Sequence, residues 1–94
     1  MTVTIRVPAA LAAHSGGRRE VLVTAAAPTT VAGLLDRLAA ELPALERRIR
    51  DERGSIRRHV NLYVDGEDIR SLSGTETAVP ENADVTVMAA ISGG

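Results

Sequence analysis

Residues 2–7, TVTIRV, alternate without a break: Val3, Ile5 and Val7 face one way, and Thr2, Thr4 and Arg6 the other. A period of two over this length predicts a half-buried strand. Pro8 ends it, and AALAAHSGGRR reads as a turn or loop centred on Gly16 and Gly17. Glu20 to Ala25, EVLVTA, predicts a second strand, most simply the hairpin partner of the first. After Pro28 the period lengthens. Val31, Leu34, Leu35, Leu38 and Leu42 recur at helical spacing, with Asp36, Arg37 and Glu41 on the other face.

Thr29 or Thr30 can cap this helix, and Pro43 is expected to end it. Gly33 weakens it by up to about 1 kcal/mol relative to Ala and marks a close approach to the sheet. ALERRIRDERG adds at most a short helical turn before Gly54. HVNLYV then alternates, with Val60, Leu62 and Val64 inward and His59, Asn61 and Tyr63 outward. Asp65-Gly66 is a tight-turn signal, Glu67 to Arg70 a short strand, and SLSGTETAVPENAD a long polar connection. DVTVMAAI alternates once more, with Val85 and Val87 inward.

The element order is therefore β-β-α-β-β-β, five strands for one main helix. A mixed sheet with that helix laid across one face is the economical way to bury both. Pairing the first and last strands at the centre would bury the apolar face of each. The expected fold class is α+β: a β-grasp, or ubiquitin-like, mixed five-stranded sheet with one main helix packed on one face. The pattern favours the central pairing without proving it. Residues 1–90 form the domain, and 91–94 a flexible C-terminal tail.

Composition narrows the function classes. Ninety-four residues make one domain with one modest core. That core must be aliphatic, since Tyr63 is the single aromatic residue. The formal net charge of −1 predicts no general attraction to nucleic acid or membrane surfaces. There is no cysteine, hence no disulfide, thiolate metal site or Cys nucleophile, and this fits a reducing compartment. No stretch is apolar over the length of a membrane span, and Met1 leads directly into a strand pattern, so the expected location is cytoplasmic.

All eleven basic residues are arginine, and six of them crowd between Arg47 and Arg58, interleaved with Glu46, Asp51 and Glu52. The Arg47–Arg58 region reads as a solvated, self-paired surface before a docking site for an acidic partner, and a nucleic-acid site is the remotest reading. His14 and His59 have no second ligand at metal spacing and read as surface or strand-end histidines. Asp65, Glu67 and Asp68 read as turn chemistry, and Gly16-Gly17-Arg18-Arg19 as a hairpin loop rather than a phosphate cradle. No metal site and no bound cofactor are expected.

That leaves the closing residues, VMAAISGG. An α-carboxylate is ionised at neutral pH and is a poor electrophile until activated, for example as an acyl-adenylate made with ATP. An enzyme must then surround its carbonyl. Gly93 and Gly94 lack Cβ atoms, which suits a thin tail threading a narrow channel. Ile91 supplies one apolar anchor and Ser92 a small residue.

With TVTIRVPAAL, HSGGRREVLV, HVNLYVDGEDIR and DVTVMAAISGG, essentially the whole chain resembles the sulfur-carrier proteins of the ThiS/MoaD family, most closely the CysO type. The resemblance implies a protein cosubstrate, not an enzyme. Gly94 would be adenylated and converted to a thiocarboxylate, with Gly93, Ser92 and Ile91 threading the partner's site. Tyr63, Thr86 and Met88 on the outward sheet face would form the docking area. The implied partners are a ubiquitin-activating-like adenylating and sulfurtransferase enzyme, which uses ATP, and a sulfur-accepting enzyme. The acceptor would be a pyridoxal-phosphate cysteine synthase or a thiazole-synthase-like enzyme, and a metallopeptidase would trim the CysO-type product. No nucleic acid or membrane partner is implied. One departure is Ala89-Ala90, where family members often have proline before the tail. The small subunit of molybdopterin synthase, or a non-carrier β-grasp interaction module or protein modifier, are the alternatives.

Overall fold

The computed structural model describes residues 1–90. Strand β1 (Thr2–Arg6) pairs antiparallel with β2 (Glu20–Thr24), and β3 (Thr29–Thr30) leads into helix α1 (Val31–Glu41) and then α2 (Pro43–Ile49). Strand β4 (Val60–Val64) turns into β5 (Glu67–Asp68), β6 (Ala78–Val79) follows, and β7 (Asp84–Ala89) closes the order. The main sheet runs β2-β1-β7-β4-β5. β7 lies parallel to β1, with Ile5 opposite Val85, and antiparallel to β4, with Leu62 opposite Val87. The central parallel pairing expected of a β-grasp is present.

The alternating residues do what their period implies. Val3, Ile5, Val21, Val23, Val60, Leu62, Val85 and Val87 are all buried on one face of the sheet. Val31, Leu34, Leu35 and Leu38 of α1 meet them, also fully buried. Leu45 and Ile49 of α2 join the same cluster, so the core extends beyond the single helix. Burying an aliphatic side chain of this size contributes about 1.5–3 kcal/mol relative to leaving it exposed.

Several local expectations change. Pro43 does stop α1, but it also opens α2 at its first turn, where its missing N–H costs nothing. The segment before Gly16 is a 3₁₀ helix over Ala9–Ser15, ended by Gly16 at φ 67°. Glu67 to Arg70 is a strand only over its first two residues, because the Asp68 carboxylate accepts from the Arg70 N–H and starts a 3₁₀ turn. The long polar connection contains β6, which pairs antiparallel with β3 in a second, two-stranded sheet. Thr30, not Thr29, caps α1, accepting from the Gly33 N–H at 3.2 Å. The close approach at Gly33 is real but is not to the main sheet. A Cβ there would run into Oγ1 of Thr29. Asp65 and Gly66, at φ 49° and 87°, form the two-residue hairpin turn expected of them.

Candidate functional site

Strand β7 ends at Ala89, one residue before the end of the described chain. Because β7 lies between β1 and β4, its direction is held from both sides. Its last register pair is Ala89 with Val60, and the Ala90 N–H then donates to the His59 carbonyl at 2.8 Å. Beyond that bond come Ile91, Ser92, Gly93 and Gly94, the residues expected to thread and to be activated. They lie outside the described residues.

The three residues expected to dock a partner share the outward sheet face. Tyr63 stands directly opposite Thr86, and Asn61 opposite Met88, on adjacent strands. Met88 is 51% exposed, while Tyr63 and Thr86 are half-buried. Arg6 lies beside Thr86 in the parallel register and fixes this face electrostatically. Its Nε donates to both Asp84 carboxylate oxygens at 2.9 Å, and a terminal nitrogen donates to Glu20 at 2.7 Å. Those bonds to Asp84, then the charges of Asp84 and Glu20, raise the Arg6 pKa above the ordinary arginine value. As a solvent-exposed network it orients strands more than it stabilises them. Leu22, 65% exposed on β2, belongs to the outward face too and was not singled out. The signal was an apolar residue standing in the polar phase of Val21 and Val23. It pairs with Thr4, away from Met88.

The arginine-rich stretch divides in two. Arg50 is paired, to Glu46 at 2.7 Å and Asp36 at 2.8 Å. Burial works against its charge, yet the bonds to those carboxylates outweigh this and raise its pKa. Asp51 organises its own turn, accepting from the Arg53 and Ser55 N–H groups. Arg47, Arg48 and Arg57 behave differently. They line a groove of about 430 Å³ together with Ala44 and both histidines, His14 and His59. Sequence distance had hidden that His14 and His59 share a surface. Among the described residues no group of three or more His, Asp or Glu side chains is placed to hold a metal ion.

The remaining candidates are structural. Arg18 and Arg19 donate to the Ser15 and Val7 carbonyls, so they stitch their own loop. Asp65 accepts from the Asp84 N–H, tying the β4–β5 turn to β7. Among the described residues no helix is long and apolar enough to cross a membrane.

The model of the ThiS family matches residues 5–94. The chain belongs to the ThiS family. It is 33% identical over 96 residues to the sulfur carrier protein CysO of Mycobacterium tuberculosis, and the match covers all of both chains. The crystal structure of that tuberculosis CysO superposes with a TM-score of 0.82 at 32% identity, covering 95% of this chain and 99% of the other. A chain of the Amycolatopsis orientalis BexX/CysO complex matches at TM-score 0.83 and 30% identity, over 98% and 99% of the two chains. The small archaeal modifier protein 1 of Haloferax volcanii matches at TM-score 0.80 and 26% identity, over 96% and 98%. These relatives confirm the β-grasp architecture. By homology this ThiS-family chain is a sulfur carrier of the CysO type, a cosubstrate rather than a catalyst.

Proposed function

We propose that Gly94 is the working atom carrier of this protein. Its carboxylate is adenylated by an ATP-using, ubiquitin-activating-like enzyme, and sulfide then displaces the nucleotide to leave a thiocarboxylate. A second enzyme takes the sulfur. The observation that carries this reading is the end of β7: a central strand, paired with β4 as far as Ala89 and bonded through Ala90 to His59, followed in sequence by Ile-Ser-Gly-Gly. The family match running through residue 94 supports it. Gly93, Ser92 and Ile91 are the residues we assign to the partner's channel, and Tyr63, Thr86 and Met88 those we assign to docking. The CysO-type likeness favours a pyridoxal-phosphate cysteine synthase as acceptor over a thiazole-synthase-like enzyme, with a metallopeptidase releasing the product. The BexX/CysO complex supports engagement of such a carrier by a second protein. We place these reactions in the cytoplasm.

The likeness to a small archaeal modifier protein favours a second use of the same activated carboxylate, attachment to another protein. Intact mass separates the two. Incubation with ATP, sulfide and a candidate activating enzyme is expected to exchange one oxygen for sulfur at Gly94. Adducts to other chains with no thiocarboxylate would support the modifier reading instead. An unchanged mass across plausible activating enzymes would remove both.

A further inference from the structure

The groove lined by His14, Ala44, Arg47, Arg48, Arg57 and His59 has no carboxylate in its wall. Arg47 and Arg57 are shared with the neighbouring cleft, where Asp36, Glu46, Asp51 and Glu52 stand among the arginines and the first two pair with Arg50, whereas Arg48, His14 and His59 line this groove alone. All ion pairs among the described residues use Arg6 or Arg50. Arg47, Arg48 and Arg57 therefore have no carboxylate partner among those residues. The Arg57 Nε donates to the Arg47 carbonyl at 2.7 Å, which holds that guanidinium at the wall. Its terminal nitrogens make no hydrogen bond among the described residues. Arg18, Arg19, Arg37, Arg53, Arg58 and Arg70 also lack an ion pair among the described residues; what sets Arg47, Arg48 and Arg57 apart is that they share one concave wall without a carboxylate in it.

The place is informative. His59 lines the groove, and its carbonyl accepts from the Ala90 N–H, the last hydrogen bond along the chain among the described residues. Four residues reach at most roughly 14 Å beyond that point. Any enzyme that holds Gly94 must press against the surface around Ala90, and the groove is part of that surface. We propose that the groove seats an acidic segment of the enzyme that receives the tail. The identity of that partner rests on the carrier reading above; the preference of the groove for carboxylates does not. A nucleic acid fits less well, because the sole aromatic residue, Tyr63, lies on the outward sheet face and offers no stacking surface in the groove. Charges at such a rim act mainly on the rate of encounter and on its salt dependence.

The first test uses the full chain and a hexaglutamate peptide, followed by amide NMR. The peptide is expected to perturb residues around His14, Arg47, Arg48, Arg57 and His59, with affinity falling about tenfold between about 50 mM and about 300 mM salt. Reversing charge with Arg47→Glu and Arg48→Glu, both at exposed positions, abolishes this, while Arg47→Lys with Arg48→Lys retains it. Arg53→Glu, in the neighbouring cleft, leaves it unchanged. Perturbations centred on Arg18, Arg19 and Arg70, or displacement of the peptide by equimolar inorganic phosphate, would overturn the assignment.

The second test uses an activating enzyme that modifies the unaltered carrier. The Arg47→Glu, Arg48→Glu carrier is expected to raise KM about tenfold with kcat within about twofold, and high salt should erase the difference. An unchanged KM at low salt overturns the proposal. If no enzyme modifies the unaltered carrier, the carrier reading fails, and the peptide titration still decides the groove.

Discussion

Gly33 shows how one position can carry two opposed effects. Alanine there would gain up to about 1 kcal/mol in helix propensity, yet its Cβ would collide with the Thr29 hydroxyl. Thr29 is in β3, one residue before the cap, and its hydroxyl donates to the Thr30 carbonyl at 3.4 Å, a bond lost when the side chain turns away. Gly33→Ala alone is expected to cost about 1 kcal/mol, and in a Thr29→Ala background to stabilise by a similar amount. Equal effects in both backgrounds, measured by urea denaturation, would dismiss the clash. The sequence made the close approach legible but not its partner. A helical glycine announces that something is near, and only the fold says that it is a threonine four residues back.

At the scale of elements, β7 matters most, because it fills the sheet centre and immediately precedes the residues proposed to be activated. Val87 is buried between its neighbours and faces Leu62 in register. Val87→Ala should lower stability by about 2 kcal/mol, with hydrogen exchange at Ile5 and Leu62 rising in step. Ala90→Pro removes only the bond to His59 and should change stability by about 1 kcal/mol or less. If both variants proved equally harmful, the division between a rigid strand and its last tether would be wrong. The three alternating strands were legible because each has one wet and one dry face. The β3–β6 pair was not, since two residues carry no period. α2 was half-hidden for another reason: Pro43 is a stop for one helix and a start for the next, and sequence order alone cannot say which.

For the molecule as a whole, the aliphatic core among the described residues runs from Val3 to Val87, with Ala89 packed against it. The residues proposed to do chemistry come after these in sequence, so folding and chemistry are expected to separate. Adding one residue after Gly94 is expected to leave the thermal midpoint unchanged and to abolish sulfur transfer. Normal transfer by the extended protein would sink the mechanism, and a fall in the midpoint would show that the separation is wrong. The fold could be read from the sequence because burial imposes periodicity on it. The tail reading rests on the glycine pair alone, at positions outside the described residues. The groove could not be read, because His14, Arg47 and His59 meet only after α2 has been laid beside the 3₁₀ segment.

The parallel pairing of β1 with β7 has a mechanical consequence. Met1, whose amine donates to the Ala25 carbonyl, lies at the end of the sheet opposite to Ala90. A pull on Ala90 directed along β7 would therefore load the strand lengthwise between β1 and β4. The ladders on both sides resist together in shear, where a strand peeled from an edge would open bond by bond. Tension applied there would be spread through the middle of the sheet, so a partner proposed to grip this end would load the core rather than unravel an edge.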